Sequence, residues 1–342
     1  MPSSQGILPA APLRHALHMM TLAATVCAAT GSSAATIKID DMIRGITTTH
    51  AQCALQPQAV WVTADGQDFC VRYYVSTVGG QGPRPVVFLN GDQIEEINMR
   101  TWQWIVPAKD HVPGPEMKDV DTDDLVKIAD GLSKATKTTA IYLARIGVDG
   151  TSGSHLARRT ELELHVLNAA LDAIKQRHGL EGFHLAGQSG GSRLLGGLVA
   201  IRHDIACAVS GSGALAWNFR TGFSDPGRVY FDILQSVPLI AKNSSLRLIL
   251  VTDPKDKIVP LNQKTEFVER MRQAGRPVSQ FLVETTDENH HSVDDYTRLV
   301  MAGCILGKSD GDIATAVNTV VKRNAEYNAR KRAEAALTSS PR

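Results

Sequence analysis

The run Gly187-Gln188-Ser189-Gly190-Gly191 sets a serine among glycines in an otherwise apolar stretch. A serine hydroxyl is a weak nucleophile at neutral pH. It becomes a useful one where a sharp turn exposes it and a base can take its proton. The glycines suit such a turn, because a Cβ at those positions would collide with the adjoining strand or helix. The spacing predicts a strand over Phe183 to Ala186 just before the run and a helix over Arg193 to Ile201 after it. The start of that helix would add the positive end of a dipole where negative charge develops. A phosphate-binding loop also needs glycines, but the lysine of a nucleotide P-loop is absent and the dinucleotide glycine spacing does not fit. The chemistry to expect at Ser189 is acyl transfer.

The elements that must position Ser189 alternate along the chain. Gln58 to Thr63 and Phe69 to Val75 read as a hairpin around Ala-Asp-Gly-Gln-Asp. Continuous apolar runs at Pro85 to Asn90 and Thr138 to Ala144 read as strands buried on both faces. Further strands are expected over 205–209, 246–252 and 278–284. Helices are expected over 121–135, 159–177, 261–274 and 294–305, the first opened by Asp and Thr caps. Antiparallel strands first and strand–helix repeats afterwards imply an α/β fold, a mostly parallel sheet covered by helices on both faces. Residues 214–245 have no clear place in this alternation and read as a lid insertion. Residues 322–342 read as a charged C-terminal tail, a frayed helix ending in disorder.

Composition narrows the class. Lys+Arg 36 against Asp+Glu 35 gives no basic excess, so nucleic acid is not an expected partner. Hydrophobic residues make up 43%, which excludes a disordered chain. No stretch of about eighteen uncharged apolar residues marks a membrane span. Residues 1–35 follow the three-part plan of a secretory signal: Arg14 as the one fixed positive charge, an apolar stretch from Ala16 to Ala29, and small residues at Ser32-Ser33-Ala34-Ala35. Cleavage near Ala35 and a periplasmic or secreted destination are expected, leaving one folded domain over 36–321. Cys53, Cys70, Cys207 and Cys304 then remain, and sequence does not choose among their three possible pairings. Their scatter fits no zinc pattern, and neither metal nor cofactor is expected.

With these elements in place, the chain resembles the α/β-hydrolase family, closest to its prolyl-oligopeptidase-like and dienelactone-hydrolase-like members. The likeness rests on four places: the Gly187 to Gly191 run; Asp256-Lys257-Ile258-Val259-Pro260 after a predicted strand; Asp287-Glu288-Asn289-His290-His291-Ser292-Val293 after the next repeat; and Asn90-Gly91-Asp92-Gln93 after the Val86 to Leu89 run. Serine, acid and histidine fall in the family's order. Asn90 departs from the family, many of whose members carry His there, and no propeller domain precedes the hydrolase part. The resemblance implies a Ser189–His291–Asp256 triad without a cofactor. Asp253, directly before Pro254, is expected to organise a turn instead. His291, followed by a small and then an apolar residue, fits the family's base; His290 stays open as the alternative. Backbone N–H groups of Gly190 and Asp92 are the expected oxyanion donors.

Other polar residues carry weaker expectations. Arg145 and His155 fall on a loop at the ligand-binding edge, where they can recognise a carboxylate or form a salt bridge. His184 reads as a satisfied core histidine. Trp102 and Trp104 read as acyl-pocket lining or as core. The leading function is hydrolysis of a carboxylic ester, with a small-molecule ester or peptide as the partner. A prolyl-oligopeptidase-like peptidase or amidase is the alternative, and a non-catalytic binding protein on the same scaffold the third reading.

Overall fold

A computed structural model describes residues 45–80, 82–92, 97–98, 103–104, 121–216 and 231–338. All of them lie in the unit Thr36–Arg342; the expected signal segment 1–35 lies outside the described residues. Eight strands form one sheet: β1 (Ala59–Ala64), β2 (Gln67–Val75), β3 (Val86–Leu89), β4 (Ala140–Leu143), β5 (Phe183–Gln188), β6 (Ile205–Gly211), β7 (Arg247–Thr252) and β8 (Ser279–Leu282). Their order across the sheet is β1-β2-β4-β3-β5-β6-β7-β8. β2 runs antiparallel to β1 and β4, and every other pairing is parallel.

Local chemistry explains the pieces. β1 and β2 join through Asp65-Gly66, both at positive φ (49° and 74°), the two-residue turn whose twist suits a hairpin. β3 and β4 are buried along their whole length because helices cover both faces of the parallel sheet. α1 (His50–Ala54) precedes the hairpin. α2 (Thr122–Thr136) opens with a capping box between Asp121 and Asp124. α3 (Glu161–His178) begins at Thr160 and ends at Gly179 in the left-handed conformation. α4 (Gly190–Ile201) follows β5 directly. A two-stranded ladder, Ile97–Asn98 with Gln103–Trp104, lies apart from the main sheet. Trp102 and the side chain of Trp104 lie outside the described residues.

One apolar layer is built from Leu167 and Leu171 of α3, Leu194 and Leu198 of α4, and their neighbours on the sheet. The opposite layer holds Leu125 and Leu132 of α2 and Val300 and Met301 of α7 (Asp294–Ile305). Burying each such side chain fully is worth about 1.5–3 kcal/mol. Two disulfides add covalent ties. Cys53–Cys70 joins α1 to β2, and Cys207–Cys304 joins β6 to α7.

Two stretches differ from expectation. Within the expected lid 214–245, Ile233–Lys242 forms α5, whose Ile233, Val237 and Ile240 enter the core. Parallel β6 and β7 need a crossover, and α5 supplies it. Residues 217–230 lie outside the described set. After α6 (Leu261–Gln273) and α7, a single helix α8 runs from Asp310 to Thr338, so the expected boundary at 321 falls inside it. Asn324 Nδ2 donates to the Glu284 carbonyl (3.0 Å), and Asn328 Nδ2 to the Thr285 carbonyl (2.8 Å). These bonds dock α8 on the chain that follows β8.

Candidate active site

Ser189 stands between β5 and α4 with φ 52° and ψ −117°, a conformation that costs a non-glycine residue about 1–3 kcal/mol. The surroundings hold it there. Its N–H donates to the Gly211 carbonyl at 2.9 Å, and its carbonyl accepts from Ser192 N–H at 3.1 Å. The Ser192 hydroxyl bonds the carbonyls of Gly187 (2.7 Å) and Gly211 (3.1 Å), tying both strands to the turn. A Cβ on Gly191 would run into the Leu89 carbonyl, so α4 can pass this close to β3 only with glycine there.

The Asn90–Asp92 loop crosses the serine. A Cβ built on Gly91 would lie 3.3 Å from Ser189 Cβ. Asn90 fixes the loop from both ends of its amide: Nδ2 donates to the Tyr142 hydroxyl (3.1 Å), and Oδ1 accepts Gly91 N–H (2.8 Å). The Asp92 carboxylate sits against Gly190 and is held by arginines. Arg145 Nη1 donates to it at 2.7 Å, and Arg159 also pairs with it. Arg145 turns the rest of its guanidinium to Glu163 in a two-bond fork, 2.9 Å each, and both of those side chains are buried. Arg145 thus binds internal carboxylates and braces the loop over Ser189. His155 likewise turns inward, its Nδ1 2.9 Å from the Ile146 carbonyl. The backbone N–H groups of Gly190 and Asp92 have no hydrogen-bond partner among the described residues.

The acid and base positions come together on the other side. His291 Nδ1 lies 3.0 Å from both Oδ1 and Oδ2 of Asp256. Asp256 Oδ1 also accepts the N–H groups of Ile258 and Val259 (2.9 Å each), so the chain folds around its own carboxylate. Pro260 then precedes α6. Burial by itself would push the Asp256 carboxyl up, but the bond and charge of His291 and the ammonium of Lys264 hold it below the usual range. The His291 carbonyl accepts from Gln188 Nε2 at 2.9 Å, which fastens the histidine loop to the residue next to Ser189. Asp287 shapes that loop, its carboxylate accepting the N–H groups of His291 (3.0 Å) and Ser292 (3.1 Å). Ser189 Oγ makes no hydrogen bond among the described residues; such bonds are often long without substrate and tighten around it.

The alternative acid and base also pair, with each other. His290 Nδ1 lies 3.0 Å from Asp253 Oδ2. Asp253 organises its surroundings as expected, accepting Lys255 N–H (2.9 Å) and both the N–H and hydroxyl of Thr285. His184 is buried in β5 as expected, but its Nδ1 has no partner among the described residues. Sequence reading missed Ser192, Glu163, Asp287 and Lys264. Only Lys264 carried a signal, since it shares a helical stripe with Phe267 and Met271 and all three are buried.

No protein-family model and no curated protein matches the sequence. Solved structures do. An esterase of Pyrococcus furiosus aligns with a TM-score of 0.50 at 13% identity, over 77% of this chain and 95% of that one. Est1E from Butyrivibrio proteoclasticus, solved with ferulic acid, gives 0.49 at 12% identity over 72% and 100%. The acylaminoacyl peptidase of Pyrococcus horikoshii gives 0.46 at 16% identity; 72% of this chain aligns with only 39% of that protein. The fold is the α/β-hydrolase fold. At these identities the likeness speaks for the fold alone, and the chemistry has to come from the side chains.

Proposed function

We propose that this chain is a serine hydrolase that cleaves a carboxylic ester through an acyl-enzyme, with Ser189 as nucleophile, His291 as base and Asp256 as its carboxylate partner. The observation that carries the reading is Ser189 on its left-handed turn, fastened through Gln188 to a histidine whose Nδ1 is committed to a buried aspartate. That commitment leaves Nε2 as the nitrogen for proton transfer. His291 Nε2 takes the Ser189 hydroxyl proton as Oγ bonds to the ester carbon, and the carbonyl electron pair moves onto oxygen. Gly190 and Asp92 N–H receive that oxyanion, each worth about 3 kcal/mol in comparable enzymes. The intermediate collapses, the C–O bond to the leaving group breaks, and the departing alkoxide takes the proton from His291. Water repeats the sequence and releases the acid.

The chain is further proposed to be exported. The signal-like residues 1–35 and two disulfides, which persist in oxidising compartments, support that placement. Among the described residues no helix is long and apolar enough to cross a membrane. A fluorophosphonate probe followed by peptide mapping tests the core of the reading: the label should sit on Ser189. A panel of activated esters and peptide amides then ranks the two bond types. Absence of label and of turnover on every member would remove the hydrolase reading.

A further inference from the structure

The described part of α6 turns one lysine inward. The Lys264 side chain is 1% exposed, and its ammonium donates to Asp256 Oδ2 at 2.7 Å and to the Val259 carbonyl at 2.6 Å. A buried ammonium is costly, and lysine is among the residues least often fully enclosed. Asp256 does not need it to be satisfied, because two backbone N–H groups and the His291 imidazole already bond the carboxylate. Among the described residues the neighbouring pair takes no ammonium hydrogen bond: Asp253 bonds His290, the Lys255 N–H, and the N–H and hydroxyl of Thr285. Burial pulls the Lys264 ammonium down from its usual range, with the Asp256 charge opposing.

We propose that Lys264 is a positioning residue that sets how strongly Asp256 holds a proton on His291. The proposal rests on the serine-hydrolase reading for its meaning in catalysis. The physical argument is one of charge. With Lys264 in place, the lysine–aspartate pair is neutral before the proton arrives, and the imidazolium adds a positive charge to a neutral partner. Without it, the imidazolium would face a full carboxylate charge and be stabilised more strongly. The other charged groups around the base stay the same in either case. Asp253 faces Lys264, Asp287 accepts the His291 N–H, His290 adjoins it in the chain, and Asp294 at the start of α7 feels the His291 charge. Replacing Lys264 therefore isolates its own contribution.

The test compares wild type with Lys264→Gln and Lys264→Met in the full chain. The protonation midpoint of each histidine is read from imidazole NMR signals, and kcat/KM on an activated ester is followed against pH. Both variants should move the His291 midpoint up by about one pH unit, as loss of a close opposing charge does. The acid limb of kcat/KM should follow, giving about tenfold lower activity below the midpoint and little change at high pH. The His290 midpoint, on its separate aspartate, should stay nearly in place. Lys264→Gln keeps a polar group for the Val259 carbonyl, so a folded variant is available if Lys264→Met unfolds. An unmoved or lowered His291 midpoint, or an activity loss uniform across pH, overturns the proposal. A raised midpoint in a protein that hydrolyses nothing would instead remove the hydrolase reading and leave the coupling standing.

Discussion

His290 and His291 are neighbours in sequence, yet each gives its Nδ1 to a different aspartate: His290 to Asp253 and His291 to Asp256, both at 3.0 Å. The left-handed backbone of His290, φ 55°, separates the two rings. The result is two histidine–aspartate pairs side by side, of which only the second is fastened to the residue beside Ser189.

That arrangement predicts a sharp division of labour. Asp256→Asn and His291→Ala should each lower kcat by about three to four orders of magnitude, as loss of a triad member does. His290→Ala should stay within about tenfold of wild type. Asp253→Asn should cost mainly stability, about 1–3 kcal/mol, through the buried Thr285 contacts it disturbs. Steady-state kinetics on one activated ester, with thermal melts alongside, separates the two sets; equal kinetic damage in both pairs would refute the division.

Ser189→Ala should abolish turnover and fluorophosphonate labelling. It should leave the melting temperature nearly unchanged, because the Ser189 hydroxyl makes no hydrogen bond among the described residues. Residual turnover near the wild-type rate would place the nucleophile elsewhere.

Arg145 makes a prediction about stability and rate together. Arg145→Met would strand the buried Glu163 carboxylate, which its guanidinium now holds, while Asp92 would keep Arg159 but lose its Arg145 bond. Breaking a buried pair in this way costs about 3–5 kcal/mol. The Asn90–Asp92 loop would also lose its brace, so kcat should fall while KM changes little. Chemical denaturation and kinetics at low temperature test both. A stable variant with a raised KM would instead make Arg145 a substrate contact.

His184 shapes the acid side of the stability curve. Burial, with the Arg84 charge beside it, pulls its pKa down from 6.5 to about 4. Between those values the unfolded chain binds a proton that the folded one refuses, so stability falls as pH drops from about 6.5 to about 4. His184→Leu should flatten the melting curve over that window. An unchanged slope would show that other groups govern it.

The Cys207–Cys304 crosslink spans 97 residues and joins the strand behind Ser189 to the helix that follows His291. Replacing both cysteines with alanine should lower stability by about 2–4 kcal/mol, measurable as a lower denaturation midpoint. No change would mean that the thiols are reduced in the native protein.

Much of this was legible in the sequence, because the relevant signals are local. Strands buried on both faces announce themselves as apolar runs, and Val86 to Leu89 and Ala140 to Leu143 did so. The turn at Ser189 shows in its glycines. Asp256 is expected through the family resemblance of the Asp256 to Pro260 run, and its carboxylate accepts the N–H groups of Ile258 and Val259. What escaped depends on residues far apart in the chain. The pairing of Asp92 with Arg145 and of Arg145 with Glu163 crosses 53 and 18 positions, and no spacing rule anticipates it. α4 starts at Gly190, three residues before its expected start, because packing against β3 outweighs the poor helix preference of two glycines and a serine. Lys264 falls on the stripe of Phe267 and Met271, but helical spacing does not say which buried carboxylate its ammonium reaches.

The docking of α8 bears on how the protein can be handled. Asn328 grips the Thr285 carbonyl, Thr285 grips Asp253 with its N–H and hydroxyl, and Asp253 grips His290. A truncation at 321 would therefore not trim an idle appendage. It would pull out the far end of a chain of contacts that reaches the histidine loop, and an assay of the shortened protein would report a loosened base rather than a smaller enzyme.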